Sequence, residues 1–429
     1  MIAWALIPFL GALLVSNSTF GDGLEEDDQA LNGTNGDDLF GHPNETGSLH
    51  VDTLDGNDSV ISGFGHDLVL GGEGNNLIET FGGNDSIEAG DGNNRINTGN
   101  GADTIQLGNG NNAVVAGGGD DVVITGDGHD SISGGGGDDA INGGDGNNEI
   151  NGKLGNDRIA TGDGDDTLSG HEGNDRIYAG DGNNYVQAGN GNDEIEAGSG
   201  DDTIKSGSGD DIVRAGDGNN TYFVLSGNDS YTGGSGQDIT RTGAGSSVLA
   251  LGGGADSWRD VDNAEDAAHA DTVAGGLGED TLNSTYGTDL LTGGYGDDVF
   301  FSLDAADDSF SADTVMGGVG QDVFFADAGD VLSGEEGADA FTIAYHALEE
   351  GELAEDVPAV TITDFDPAEE VISVQLPEGV DVTFADIMIS ADPETGDLVF
   401  TAEGQTFLQL QGVALDQVTA DNLVVLAAA

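Results

Sequence analysis

Cysteine is absent from the 429 residues, and basic residues and proline are rare, with 8 lysines and arginines and 6 prolines. Without cysteine the chain has no disulfide scaffold. With so few lysines and arginines, no basic patch can displace the counterions of nucleic acids or attract an anionic lipid surface. The few prolines, and glycines that do not recur at every third residue, exclude collagen. These deficits exclude nucleic acid as a partner.

Glycine and acidic residues dominate what remains, with 76 glycines, 82 acidic residues and a formal net charge of -74. Such a composition is also typical of a disordered acidic polymer, which is the state we expect when the right counterion is missing. The order of the residues nevertheless indicates structure. Glycine recurs at every ninth residue from Gly56 to Gly236, Asp or Asn stands two residues after each, and most repeats place an aliphatic residue two positions later. This register is typical of a solenoid.

Each nonapeptide predicts a glycine turn followed by a short strand with one side chain turned inward, for example Ile105 or Ile141. So short a strand is stable only when neighbouring strands stack on it. Two nonapeptides then make one coil, so residues 18 apart lie one above the other along an edge. The sequence predicts an all-β fold, a parallel β-roll or β-helix-like solenoid of nonapeptide repeats with a C-terminal antiparallel β cap.

The repeat resembles the G-G-x-G-x-D-x-U-x nonapeptide of the repeats-in-toxin (RTX) family. Close matches begin at Gly134 and Gly233, and a looser array repeats the motif from Gly275, Gly293 and Gly317. The resemblance covers roughly residues 32–346. It implies a β-roll whose stacked turns hold Ca²⁺ between Asp side chains and glycine carbonyls. It also implies export by a type I secretion apparatus that recognises an uncleaved C-terminal signal.

Four turns depart from this motif, because Phe81, Lys153, His171 and Leu225 replace the glycine four residues before the acidic position. We expect these turns to be looser and their metal sites to be impaired. In the second array, we expect the phenylalanines to form the core: Phe324, Phe325 and Phe341.

Changes in the repeat divide the chain into six segments. They are an apolar N-terminal segment (1–20), an acidic lead-in with a degenerate repeat (21–50), the main calcium-binding β-roll (51–256), a linker (257–272), a second, degenerate RTX array (273–346), and the C-terminal β cap with the type I secretion region (347–429). The apolar stretch 2–15 is shorter than a spanning helix and lacks the basic start of a secretory signal. Membrane association is expected only through that stretch.

The acidic position of each repeat supplies the oxygen ligands that calcium prefers. A single Asp or Asn after glycine suits a metal-free turn equally well, because its side chain bonds nearby backbone groups. More than twenty such residues in register on a strongly negative chain favour metal, and the resemblance implies multiple Ca²⁺ ions as cofactors. The candidate ligands are Asp58, Asp67, Asn76, Asp85, Asn94, Asp103, Asn112, Asp121, Asp130, Asp139, Asn148, Asp157, Asp166, Asp175, Asn184, Asp193, Asp202, Asp211, Asn220, Asp229, Asp238, Asp280, Asp289, Asp298, Asp322 and Asp339.

The two edges of the predicted roll differ in charge. One edge carries only aspartates from Asp67 to Asp229, whereas the other mixes Asn with Asp from Asp58 to Asp238. A neutral amide lowers the ligand charge, which is one determinant of calcium affinity, so we expect tighter binding at the all-Asp edge. Because unneutralised carboxylates repel one another in a compact chain, we also expect folding to be coupled to calcium binding.

These features favour a secreted, extracellular or cell-surface structural protein that folds when it binds calcium outside the cell. A calcium-dependent module for glycan, mineral or ice is the alternative, with an extracellular glycan or a cell-surface molecule as partner. An enzyme with an unrecognised site is a lesser alternative. The sequence contains neither H-E-x-x-H nor G-x-S-x-G, and its histidines are scattered, so we predict no catalytic residues.

Overall fold

The computed structural model describes residues 29–44, 46–224, 226–261, 269–303, 311–345, 357–376, 386–419 and 422–426. Within these ranges the chain is built of strands, turns and bends, and it has no helix long and apolar enough to cross a membrane. The predictions for residues 2–15, for the start of the lead-in (21–28) and for Leu225 lie outside the described residues.

Two sheets face each other across a narrow core, and the chain passes from one to the other in every coil. Sheet A contains β1 (Gln29–Asn32), β3 (Leu49–Asp52), β5 (Leu68–Gly72), β7 (Ser86–Ala89), β9 (Thr104–Leu107), β11 (Val122–Ile124), β13 (Ala140–Asn142), β15 (Arg158–Ala160), β17 (Arg176–Tyr178), β19 (Glu194–Glu196), β21 (Ile212–Asp217), β23 (Ser230–Ser235), β25 (Val248–Gly253), β27 (Thr272–Leu277), β29 (Leu290–Tyr295), β31 (Thr314–Val319), β33 (Val331–Glu336), β35 (Val360–Ile362), β37 (Met388–Ala391), β38 (Leu398–Ala402) and β39 (Gln405–Leu410).

Sheet B is built from the strands between them. It contains β2 (Leu39–Gly41), β4 (Ser59–Ile61), β6 (Leu77–Glu79), β8 (Arg95–Asn100), β10 (Ala113–Gly118), β12 (Ser131–Gly136), β14 (Glu149–Leu154), β16 (Thr167–Glu172), β18 (Tyr185–Asn190), β20 (Thr203–Ser208), β22 (Thr221–Phe223), β24 (Ile239–Thr242), β26 (Ser257–Asp260), β28 (Thr281–Ser284), β30 (Val299–Ser302), β32 (Val323–Ala326), β34 (Ala340–Ala344), β36 (Val371–Gln375) and β40 (Leu423–Leu426).

The strands of each sheet pair in parallel with the register that the repeat predicts. Ile141 lies beside Val123 and Ile159 in sheet A, an offset of 18 residues in both directions. Residues that flank these positions point outward, whereas Ile141 and Ile159 are fully buried. The all-β parallel β-roll is therefore confirmed.

The core changes in size along the stack. Aliphatic side chains fill the first coils, and Tyr222 then stacks on Tyr231 with ring centroids 4.6 Å apart. Further on, Phe324 stacks between Phe300 and Phe341 and is completely buried, as predicted. The prediction was wrong for Phe325.

Phe325 points outward because it follows the inward Phe324 in the same strand, and successive side chains of a strand face opposite sides. On the outer face of sheet B its ring stacks on Phe301 at 4.8 Å.

The linker expected at 257–272 begins instead with a strand. Ser257–Asp260 pairs with β24 on one side and β28 on the other, and the indole of Trp258 is fully buried. The stack accommodates the break in the repeat by a longer connection, because Val248 pairs with Thr272 at an offset of 24 residues. The break is thus an insertion at a turn, and the strand before it keeps its inward residue.

The C-terminal region closes the stack through both sheets. Strand β35 continues sheet A and pairs in parallel with β39, which forms an antiparallel meander with β38 and β37. Strand β36 continues sheet B and pairs with β40. The antiparallel cap is confirmed in sheet A, and it covers strand edges that an open solenoid would expose.

Three of the substituted glycine positions keep the turn geometry instead of loosening it. Phe81, Lys153 and His171 have φ of 62°, 85° and 81°. These side chains adopt the left-handed conformation because the stack fixes it on both sides, as shown by the pairing of Lys153 with Gly135 and His171. Such a conformation costs a residue with a Cβ about 1–2 kcal/mol.

Replacing Lys153 by glycine should therefore stabilise the folded protein by about 1 kcal/mol, because glycine adopts positive φ without strain. Lys205→Gly is the matched control, since Lys205 lies within β20 and has no positive φ. That substitution should destabilise by about 0.5–1 kcal/mol. Thermal unfolding at fixed calcium measures both, and a lower melting temperature for Lys153→Gly would contradict the strain argument.

Candidate metal-binding turns

The turns stack along two opposite edges of the roll. Turns that lead from sheet B to sheet A form the first edge, and turns that lead from sheet A to sheet B form the second edge. We call the acidic position of each turn, followed along one edge, an acidic column. The first column holds Asp67, Asp85, Asp103, Asp121, Asp139, Asp157, Asp175, Asp193, Asp211, Asp229 and Asp289. The second column holds Asp58, Asn76, Asn94, Asn112, Asp130, Asn148, Asp166, Asn184, Asp202, Asn220, Asp238, Asp280, Asp298, Asp322 and Asp339.

Every column side chain is at most 3% exposed and binds the backbone of the adjacent coil. Oδ1 of Asp85 accepts a hydrogen bond of 2.8 Å from the backbone N–H of Asp67, and the same bond recurs along both columns. Asn148 makes it as well, because its Oδ1 accepts from the backbone N–H of Asp130 at 3.0 Å. This bond explains why each turn has Asp or Asn, since both side chains place an acceptor oxygen there.

The second carboxylate oxygen has no such partner. Among the described residues, Oδ2 is buried and without a hydrogen-bond partner in twenty column aspartates, which include every predicted aspartate except Asp289. A buried carboxylate oxygen costs free energy unless a donor or a cation faces it. A cation beside Oδ2 would compensate the same atom in each of these twenty turns.

The turns leave room only for the carboxylate. A Cβ added at Gly152 or Gly293 would overlap Oδ2 of Asp157 or Asp298 in the same turn. At Gly137, φ is +124° and an added Cβ would overlap the carbonyl oxygen of Gly119 one coil earlier. Glycine at these positions therefore lets backbone carbonyls and carboxylates of stacked turns approach one another.

Carbonyl and carboxylate oxygens together match the preference of Ca²⁺ for oxygen ligands at a flexible site. The part of the chain that the structure describes contains no group of three or more His, Cys, Asp or Glu side chains arranged to hold a metal. An ion at these turns would therefore take much of its coordination from the backbone.

Burial has a large effect on the acidity of the column carboxyls. It raises the pKa of Asp121, Asp139 and Asp193 to about 7, and the charges of neighbouring column carboxylates act in the same direction. In Asp289 the pKa rises to about 8, first through burial and then through the charge of Asp313. A cation in the turns would replace the protons that these carboxyls otherwise retain near neutral pH.

A second ladder of hydrogen bonds runs along the exposed surface of each edge. In most coils of the main array the residue before the column position accepts a bond from the following coil, as Asn57 Oδ1 does from the backbone N–H of Asn75 at 2.9 Å. The buried column bonds run the other way, from Asp58 N–H to Asn76 Oδ1 at 3.0 Å. Adjacent turns are therefore held from two sides, which fixes the spacing of the oxygens between them.

Sequence reasoning missed four residues that continue the columns: Asp256, Asp271, Asp313 and Asp330. Asp256 was recognisable, since it follows Asp238 by 18 residues and Gly254 by two. The other three follow irregular connections, where the spacing no longer identifies the column. Their hydrogen bonds identify them as column residues, since the backbone N–H of Asp289 donates to Asp313 Oδ1 at 2.8 Å.

In calcium-free solution, acidification should stabilise the roll. The folded-state pKa of Asp139 is raised to about 7, whereas an unfolded Asp titrates near ~3.9. The folded chain therefore binds more protons in this interval, and the stabilisation is complete below about pH 4 and lost as pH rises through about 7. Circular dichroism of the metal-free chain between these pH values measures it. A β signal that decreases on acidification would contradict the assignment of buried carboxyls.

Comparison with known proteins agrees with this geometry. The family profile described as the RTX calcium-binding nonapeptide repeat matches residues 50–78, 79–114, 115–150, 151–186, 187–222, 208–240, 267–282, 274–308 and 309–341. The search of curated proteins gives no match.

Among solved structures, the crystal structure of the extracellular lipase LipA from Serratia marcescens is similar at 18% identity and a TM-score of 0.19. The similarity covers 57% of this chain and 45% of the lipase chain, so the chain spans less than half of the lipase's length. A TM-score this low carries no argument about activity. The repeat profile covers more than half of the sequence, and the chain therefore belongs to the RTX calcium-binding nonapeptide-repeat family.

Proposed function

We propose that this protein is secreted and that Ca²⁺ binding to its Asp/Gly turns drives its folding outside the cell, where it has a structural or cell-surface role. The observation that carries the proposal is the buried, unpartnered Oδ2 at twenty column aspartates. Calcium would supply the positive charge that those oxygens lack, and the chain's own residues would supply the remaining oxygens through carboxylates and turn carbonyls.

The charge of the chain supports coupling between binding and folding. A formal net charge of -74 opposes any compact state, and the columns hold carboxylates within hydrogen-bonding reach of adjacent coils. A ligand that binds only the folded state adds its binding free energy to stability. In a calcium-poor cytosol the chain would stay unfolded, and in a calcium-rich exterior it would fold.

Export through a type I secretion apparatus is part of the same proposal. Family membership supports it, and segment 347–429 would carry the signal as well as the cap that closes the roll. In this proposal the two arrays, 51–256 and 273–346, form one continuous stack, and the calcium-binding turns extend through both.

We further propose that the protein is not an enzyme. Support comes from the sequence, which lacks H-E-x-x-H and G-x-S-x-G, and from the use of its buried carboxylates in the repeated turns. Since the same environment recurs in coil after coil, no single acidic pair is distinguished as an acid/base couple.

A calcium-dependent glycan-binding module is the second candidate. One observation favours it over mineral or ice, namely a row of rings and cations on the outer face of sheet B. Lys205 lies 5.2 Å from the ring centre of Tyr185, and Arg241 lies 5.3 Å from that of Phe223. On this surface a sugar that carries acidic groups would meet both apolar ring faces and cations. Pull-down on insoluble glycans with and without calcium tests it, and absence of binding in both conditions would contradict it.

Calcium titration of the purified chain tests the main proposal. In chelator we expect a largely unfolded chain, and in millimolar calcium a β-rich one that binds on the order of twenty ions, one per well-formed turn pair. Circular dichroism and equilibrium dialysis should be followed on the same sample. Magnesium is the control, because it demands a smaller octahedral site and should induce little structure. A dichroism spectrum unchanged by chelation would overturn the proposal.

A further inference from the structure

Asn and Asp alternate in the second column at positions that are equally buried. Asn148 and Asn184 are each 2% exposed, as is Asp166 between them. All three accept the same backbone bond through Oδ1. The remaining atom, Nδ2 in Asn and Oδ2 in Asp, therefore occupies the same place in the turn, and any difference between these turns comes from that atom.

In the Asn turns that atom is a donor with acceptors of its own. Nδ2 of Asn148 donates to the carbonyl of Gly144 at 3.3 Å and to that of Gly146 at 2.9 Å. The same pair of bonds, to the carbonyls four and two residues earlier, occurs in each of the other Asn turns: Asn76, Asn94, Asn112, Asn184 and Asn220. The amide thus bonds the carbonyls that a cation would need.

In the Asp turns the same position holds a carboxylate oxygen, which accepts hydrogen bonds but cannot donate one to the turn carbonyls. Oδ2 of Asp130, Asp166 and Asp202 is buried without a partner, although these residues lie directly beside Asn turns. Carboxylate and carbonyl oxygens repel one another unless a cation lies between them. The column therefore alternates between turns that require a cation and turns that are complete without one.

A third type of turn occurs on the first edge of the second array, where a hydroxyl replaces the amide. Ser284 Oγ donates to Asp289 Oδ2 at 2.7 Å. The single hydroxyl hydrogen of Ser302 is shared between Asp330 Oδ2 at 2.7 Å and Asp313 Oδ2 at 2.9 Å. These carboxylates have a donor at the atom that is unpartnered elsewhere. We group them as hydroxyl-capped turns, together with Asp271, whose Oδ2 accepts from Thr242 at 3.0 Å.

We infer that the Asn turns and the hydroxyl-capped turns hold no calcium, because their own amide or hydroxyl hydrogen takes the place of the ion. The inference rests on the proposed function and deepens it. Continuous rows of calcium sites would then follow the first edge from Asp67 to Asp229 and the second edge from Asp238 to Asp339. The row of ions changes edge where the core becomes aromatic, near Tyr231 and Trp258.

From Asn76 to Asn220 the opposite edge needs few ions. No two consecutive turns in this part of the second column carry Asp, so a site between stacked turns would have one carboxylate and one amide that already bonds the carbonyls. The main array is thus stabilised by metal along one edge and largely by side-chain hydrogen bonds along the other. This differs from weak calcium binding at the mixed edge, which would still fill at high calcium.

Two triple variants test the inference in the full chain. Asn148→Asp with Asn184→Asp and Asn220→Asp converts three amide turns into carboxylate turns, and we expect about three more bound ions and a higher calcium midpoint for folding. The matched control, Asp157→Asn with Asp175→Asn and Asp193→Asn on the first edge, should bind about three fewer ions and fold at lower calcium. Equilibrium dialysis at saturating calcium and dichroism titration measure both quantities.

An unchanged ion count in the Asn→Asp variant, with the wild type folding in calcium, would overturn this inference and leave the proposed function intact. If the wild type binds no calcium at all, the proposed function itself fails. If a variant does not fold, the positions of the ions can still be measured directly in the wild-type protein. Anomalous diffraction from calcium-loaded crystals should place ions at Asp157 and Asp175 and none at Asn148, and an ion bonded to Asn148 would refute the inference.

Discussion

The structure depends on what each turn offers to one buried side-chain atom, Oδ2 of Asp or Nδ2 of Asn, beside the glycine carbonyls. One oxygen of every column side chain is committed to the backbone of the neighbouring coil, which leaves the other atom to decide what the turn requires. A carboxylate oxygen at that place requires positive charge, an amide nitrogen requires carbonyls, and a capped carboxylate requires a hydroxyl. Sequence, stability and metal content are therefore linked at a single atom per turn.

The distribution of cations on the chain is consistent with this constraint. All eight lysines and arginines lie in strands: Arg95, Lys153, Arg158, Arg176, Lys205, Arg214, Arg241 and Arg259. Five of them contact acids or rings on the faces, as Arg214 does with Glu194 at 3.1 Å. Such exposed ion pairs contribute little to stability. A lysine ammonium or guanidinium paired with a column carboxylate would compete with the metal. Among the described residues the ion pairs join arginines to Glu194, and even Lys153, at a turn position, leaves Oδ2 of Asp157 without a partner.

Periodicity was sufficient to predict the fold and the columns, because a nine-residue repeat fixes which residues stack and which face inward. It failed where the spacing changes, at Ser257–Asp260 and at Asp271 and Asp313, since an insertion moves a residue in sequence but not in the stack. Phe325 points outward because successive side chains of a strand alternate between the two faces. The repeat motif identifies only the one inward position and does not show where its neighbour points. The different roles of Asn and Asp could not be predicted, because they depend on which carbonyls lie within reach of Nδ2.

The stacked aromatic residues have a consequence for folding accuracy. Successive coils of the main array are so alike that a misaligned stack, displaced by one whole coil, would keep every aliphatic contact and almost every turn bond. The Tyr222–Tyr231 stack and Trp258 each occur at one level. A shift by one coil would place a smaller side chain there, such as Ile204 for Tyr222 or Leu282 for Trp258. The void or overlap so created costs several kcal/mol. These aromatic residues therefore fix the register in which the nearly identical coils stack.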